Sequence, residues 1–83
     1  MNILYFARIR QIAGRGMDEI EIPGSVTTIA ELIDFLSARD ESLAAAFAER
    51  RTIRAAIDQN HVALDHPIAG AREIAFFPPV TGG

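Results

Sequence analysis

One stretch of the chain limits the choice of fold more than any other. Ile29, Leu32, Ile33 and Leu36 recur at i, i+3, i+4 and i+7, directly behind Thr28-Ile29-Ala30-Glu31. That tetrapeptide is a capping box: the Thr28 hydroxyl can accept from the Glu31 amide while the Glu31 carboxylate reaches back. The spacing predicts a helix of about three turns with a single apolar face, and such a face must be laid on something. The segments on either side of it read as strands, so the predicted partner is a sheet.

Asn2 to Ile9 reads as a first strand, with Ile3, Tyr5, Ala7 and Ile9 on one side and Leu4, Phe6 and Arg8 on the other. Both sides are largely apolar, as a central strand requires. Arg10 to Gly16 is a connection broken at Gly14 and Gly16. Met17 to Ile22 alternates, Asp18, Ile20 and Ile22 against Met17, Glu19 and Glu21, and Pro23-Gly24 stops it. Glu41 to Arg50 has high helix propensity, anchored by Leu43 and Phe47. Thr52 to Asp58 is a third strand, Gln59-Asn60 a turn, His61 to Leu64 a short return strand, Asp65-His66-Pro67 another turn, and Glu73 to Phe77 the last strand.

A hairpin, a crossover helix and further strands on one sheet describe an α+β fold. It is the β-grasp (ubiquitin-like) roll: a mixed sheet, one main helix packed on one face and an extended C-terminal tail. The first and last strands, the most apolar, should lie parallel at its centre. A ferredoxin-like arrangement is the alternative, but it needs two full crossover helices. The expected division is a β-grasp domain over residues 1–77 and a tail over 78–83.

Eighty-three residues make one domain. A chain of this size buries only about 60% of its unfolded surface. With no cysteine to supply disulfides, its stability must come from aliphatic packing, which the 49% hydrophobic content allows. No apolar run approaches the roughly 18 residues of a membrane span. Met1-Asn2-Ile3-Leu4-Tyr5-Phe6 lacks the basic flank and cleavage site of a signal peptide. A cytoplasmic protein without membrane contact is expected. Net charge is −3 and the one basic cluster is Arg50, Arg51 and Arg54, which speaks against nucleic acid as a partner.

Nothing in the chain reads as an active site of its own. Ser25, Ser37 and Ser42 lack a nucleophile elbow. Gly14-Arg15-Gly16 lacks the pattern and the lysine of a phosphate loop. His61 and His66 bracket a turn without further ligands, so no metal is expected.

The chemistry lies at the C-terminal end, in Phe77-Pro78-Pro79-Val80-Thr81-Gly82-Gly83. Glycine has no Cβ, so Gly82-Gly83 can thread a channel too narrow for other residues. Six residues beyond Phe77 reach about 20 Å when extended. Pro78-Pro79 would hold the base of that stalk extended and lower the entropy lost on insertion. A carboxylate is a poor electrophile, so a second protein must activate it, most simply as an acyl-adenylate. The acyl group can then meet an amine, giving conjugation, or sulfide or persulfide, giving a thiocarboxylate. Without cysteine, the terminal carbonyl is the only place at which this chain could carry sulfur.

The terminal run Ala75-Phe76-Phe77-Pro78-Pro79-Val80-Thr81-Gly82-Gly83 resembles the C-terminus of the small subunits of molybdopterin synthase, a ubiquitin-like sulfur carrier family. Asp65-His66-Pro67-Ile68 and the opening Tyr5-Phe6-Ala7-Arg8-Ile9-Arg10 are similar to that family as well. The resemblance implies a β-grasp fold and a terminal glycine, here Gly83, adenylated with ATP by an adenylyltransferase related to ubiquitin-activating enzymes. A sulfurtransferase system then converts it to a thiocarboxylate. It implies insertion of Pro78, Pro79, Val80, Thr81, Gly82 and Gly83 into a large synthase subunit. There sulfur would pass to cyclic pyranopterin monophosphate, within a heterotetramer whose large subunits hold the catalytic groups. No permanently bound cofactor is implied. Gly70-Ala71-Arg72-Glu73 stands where members often carry Asp-Gly-Asp-Glu, and Asp58 where asparagine is common.

Strand parity adds a docking surface. Glu73 marks Ala75 and Phe77 as facing away from the helix, and Arg8 marks Leu4 and Phe6 similarly. Adjacent central strands would place Phe6 and Phe77 together on the open face, with His61 flanking them. The competing functions are a sulfur carrier for thiamine thiazole synthesis, a ubiquitin-like protein modifier and a plain binding module.

Overall fold

The structure, a computed structural model, describes residues 1–79. Its elements in chain order are β1 (Asn2–Tyr5), α1 (Ala7–Ala13), β2 (Met17–Glu19), α2 (Ile29–Arg39), α3 (Glu41–Ala46), a 3₁₀ turn (Arg50–Thr52), β3 (Arg54–Ile57), β4 (Asn60–Val62) and β5 (Glu73–Phe77). The five strands form one sheet in the order β2-β1-β5-β3-β4. Only β1 and β5 run parallel, at the centre; the other neighbours are antiparallel. This is the β-grasp roll that the element order predicts.

The first strand is shorter than its alternation suggests. It ends at Tyr5, and residues 7–13 form a helix instead. Ile9 and Ala13, four apart, are the residues α1 buries, so helical spacing outweighs the two-residue pattern. Gly14 ends the helix at φ 79°, where its N–H donates to the Arg10 carbonyl at 3.0 Å. That left-handed cap is one glycine adopts without the steric cost other residues bear. Tyr5 N–H then donates to the Gly16 carbonyl at 2.9 Å, closing the loop that contains α1. The β1–β2 connection is therefore a pair of strands with a helix inserted, and Arg8, on that helix, is no guide to strand parity.

Other boundaries contract by a few residues. β2 stops at Glu19, although Ile20 still donates to the Met1 carbonyl. α3 stops at Ala46 and its anchor Phe47 becomes the C-cap. The β3–β4 turn falls on Asp58-Gln59, with φ of 47° and 73°, and Asn60 opens β4. At α2 the Glu31 amide donates to Thr28 Oγ1 at 3.2 Å as expected. The Glu31 carboxylate reaches one residue further back than a standard capping box, taking the Thr27 N–H at 2.7 Å and the Thr27 hydroxyl at 2.8 Å.

All three helices pack on one face of the sheet. Ile9 and Ala13 of α1, Ile29, Leu32, Ile33 and Leu36 of α2, and Leu43 of α3 share one core with Ile3, Tyr5, Ala55, Ile74 and Phe76 from the strands. Phe47 stands edge-on to Phe76 with centroids 4.9 Å apart. Each large side chain buried this way stabilises the fold by about 1.5–3 kcal/mol.

A polar network ties the helical layer to the edge of the sheet. Tyr5 is buried, and its hydroxyl donates to Asp18 Oδ2 at 2.8 Å. Arg15 donates from Nε to Asp18 Oδ1 at 2.8 Å and from Nη2 to Asp40 Oδ2 at 2.9 Å. Asp40 also caps α3, accepting from the Ser42 amide at 2.8 Å. One guanidinium thus joins the α1–β2 loop to the α2–α3 junction. Its hydrogen bonds, followed by that of Tyr5, hold the Asp18 carboxyl below its usual range against the opposing effect of burial. Burial first, and the bond to Asp18 second, push the Tyr5 phenol up.

Candidate functional site: the open face where the last strand ends

With the helices on one side, alternation leaves the other side of the sheet uncovered. The registers align a row across it: Met17 opposite Leu4, Leu4 opposite Ala75, Ala75 opposite Ala56, and Ala56 opposite His61. Ala56 and Ala75 are small and buried, so the middle of the row is a shallow floor. Two positions further along, Phe77 lies opposite Arg54. Two positions back, Asn2 pairs with both Glu19 and Glu73. The open face is consequently apolar toward the end of β5 and polar to acidic toward its start.

The chain leaves the sheet at the apolar end. Pro78 and Pro79 follow Phe77 outside any strand and are half-buried. Proline has no N–H to offer a ladder and a fixed φ, so the pair ends the strand and stiffens the exit. Val80, Thr81, Gly82 and Gly83 lie outside the described residues.

The aromatic groups near this exit are arranged differently from the simple pairing of Phe6 with Phe77. The Phe77 ring pairs with His61, at 4.9 Å between centroids. Phe6 is the N-cap of α1, where its N–H donates to the Phe76 carbonyl at 3.0 Å. Its side chain is 45% exposed, and Met17 is 49% exposed, the two large apolar side chains most open to solvent among the described residues. Phe6 therefore stands at the rim, beyond the last paired residues of β1 and β5.

Arg54, opposite Phe77, is the cationic residue toward the apolar end of this face. Its Nη1 donates to the carbonyls of Arg51 and Ile53, at 3.1 and 3.0 Å, which folds the side chain back. Arg51 is 90% exposed at its side chain, whereas Arg50 pairs with Asp34. The arginine cluster read from the sequence thus splits into a structural arginine and two that face outward.

Neither histidine joins a chemical constellation. His66 lies in a turn, with Nδ1 at 2.7 Å from the Pro67 carbonyl oxygen. Among the described residues no group of three His, Cys, Asp or Glu side chains is placed to hold a metal ion, and no helix is long and apolar enough to cross a membrane.

Comparison with known proteins gives the family. The ThiS family model matches residues 3–83. The molybdopterin synthase sulfur carrier subunit of Escherichia coli is 35% identical over 83 residues, covering 100% of this chain and 99% of the relative. That of Haemophilus influenzae is 34% identical with the same coverage. Among solved structures, SAMP1 from Haloferax volcanii superposes with a TM-score of 0.72 at 25% identity, covering 100% of this chain and 98% of the other. The chain belongs to the ThiS family, among the molybdopterin synthase sulfur carrier subunits.

Proposed function

We propose that this chain carries sulfur on its last carbonyl and delivers it inside molybdopterin synthase. The Gly83 carboxylate attacks the α-phosphate of ATP in an adenylyltransferase, and pyrophosphate leaves. The persulfide of a sulfurtransferase attacks the acyl-adenylate and AMP leaves. A second thiol then cleaves the resulting acyl disulfide, is itself oxidised to a disulfide with the sulfurtransferase, and releases the thiocarboxylate. The tail, Pro78 to Gly83, enters the large subunit, which supplies the catalytic groups, and the sulfur passes to cyclic pyranopterin monophosphate. The chain returns as a carboxylate, a co-substrate in a cytoplasmic cycle. The apolar half of the open face, with Phe6, Phe77 and His61, is the surface on which the large subunit docks.

One observation carries this reading. The strand that leads into the Gly-Gly run is the central one, and it ends on the apolar half of an uncovered sheet face. A tail leaving from there is anchored by hydrogen bonds on both sides and flanked by surface a partner can bury.

The test is intact-mass spectrometry of protein from its native cell. Replacing one terminal oxygen by sulfur adds about 16 Da, confined to the last peptide. Deleting Gly83 should abolish molybdopterin formation while leaving the fold intact. A mass shift placed elsewhere, or full activity without Gly83, would refute the proposal. Capture of the large synthase subunit, and not of a thiazole-forming enzyme, separates this pathway from thiamine synthesis.

A further inference from the structure

All eight basic residues are arginine, and the chain contains no lysine. Packing explains part of this. Arg15 uses its fork on two carboxylates and the Ala13 carbonyl, and Arg54 uses one nitrogen on two carbonyls. For such contacts a planar guanidinium is better shaped than an ammonium. Arg51 makes none of this kind. It is 90% exposed and reaches only Glu49, at 3.7 Å. A lysine would serve there equally well as a surface charge.

We propose, resting on the reading of Gly83 as an activated acyl end, that this chain is an acyl donor without a side-chain acceptor. It passes its carbonyl or its sulfur outward and forms no side-chain-linked chains of itself. In amide formation an amine nitrogen attacks the activated carbonyl, the bond to AMP or thiolate breaks, and the nitrogen loses a proton. Only an unprotonated amine can attack. At about pH 9 roughly one lysine in twenty-five is unprotonated, against one arginine in several thousand or fewer. The remaining nucleophiles do not substitute. An acyl-imidazole on His61 or His66 hydrolyses, serine and threonine hydroxyls could give only hydroxylamine-labile esters, and the Tyr5 hydroxyl is buried and donates to Asp18. Any conjugate of this chain therefore lacks side-chain branches of itself, which sets it apart from modifiers that extend through their own lysines.

The test uses the full chain with its α-amino group acetylated and its C-terminus prepared as a thioester by intein cleavage. Incubated near pH 9, it should give no hydroxylamine-resistant dimer by intact mass. The Arg51→Lys variant should give such a dimer at about tenfold or more above the detection limit, linked at position 51, because an exposed primary amine has been supplied. Hydroxylamine-resistant dimer from the unaltered sequence at the variant's level would overturn the proposal. So would a variant that forms none while free lysine in solution still captures the thioester. A separate incubation of the unmodified chain with the adenylyltransferase and ATP, read by pyrophosphate release, examines the activated-tail reading alone. Its failure would remove that reading and leave the acceptor result standing.

Discussion

Asp58 and Glu73 bond to each other reciprocally. The Asp58 N–H donates to the Glu73 carbonyl at 2.9 Å, and the Glu73 N–H donates back to Asp58 Oδ1 at 2.9 Å. The same carboxylate oxygen accepts from the Arg72 N–H at 3.0 Å. One side chain in the β3–β4 turn therefore fixes where β5 begins, at the end of the strand opposite its exit. Asp58→Ala should cost about 1–2 kcal/mol, the range for charge-assisted bonds at a partly solvated site. Asp58→Asn keeps an accepting oxygen and should recover most of that. Urea melts of the three proteins check the order, and equal stabilities would contradict the assigned role.

The same turn holds a residue out of its preferred backbone region. Asp58 and Gln59 both have positive φ, the geometry of a two-residue hairpin loop that favours glycine at its second position. Gln59→Gly should therefore stabilise the protein by about 0.5–1 kcal/mol, as steric relief exceeds the added freedom of the unfolded chain. Gly14→Ala provides the opposite case. Nothing lies within 4 Å of a Cβ built there, so its cost of about 1 kcal/mol comes from the left-handed φ alone. Thermal melts should move in opposite directions for the two variants.

Phe76 and Phe77 are neighbours with different duties. Phe76 is fully buried against Phe47, while Phe77 is half-buried on the open face beside His61. Phe76→Ala should lose about 3–5 kcal/mol of stability, a large share of what a small domain possesses. Phe77→Ala should fold and instead weaken binding to the large subunit, roughly ten- to hundredfold for one aromatic no longer buried by the partner. Calorimetric titration against that subunit, paired with a melt of each variant, separates the two effects. Unchanged affinity in Phe77→Ala would remove the open face from the docking surface.

Acid should act through Asp18. Its folded pKa lies below the ordinary value of 3.8, chiefly through the Arg15 hydrogen bonds. A depressed carboxylate contributes stability that is fully present above the unfolded value and is lost as pH falls through the folded one. Asp18→Asn should thus be less stable than the parent near neutral pH, and the gap should close as pH falls below the ordinary carboxylate value and through the lowered folded one. Melting temperatures across that range read the gap directly; a constant difference would show that the charge plays no part.

Much of this arrangement can be seen in the residues themselves. The Thr28 start, the Ile29–Leu36 stripe and the apolar first and last runs dictate one long helix on a mixed sheet. Residues 7–13 are harder, because Ala-Arg-Ile-Arg-Gln-Ile-Ala satisfies alternation and helical spacing together. Gly14 directly after Ala13 is the available stop signal, and it marks a helix end more naturally than a strand end. The Tyr5–Asp18–Arg15–Asp40 network leaves only a faint trace. A tyrosine on the buried side of one strand needs a polar partner, and Asp18 has inward parity on a second strand. Asp40 lies 25 positions from Arg15, and no local pattern spans that gap. The open face follows from parity, but Phe6 does not take its alternating place because the helix begins immediately after it.

The parallel pairing of β1 with β5 also has a mechanical consequence. A partner that draws on the end of the chain pulls β5 lengthwise, along rungs shared with β1 on one side and β3 on the other. Such a load is met in shear, with several hydrogen bonds strained together, and no single rung can be peeled away first. A pull on that end of the domain is therefore resisted without unravelling from it.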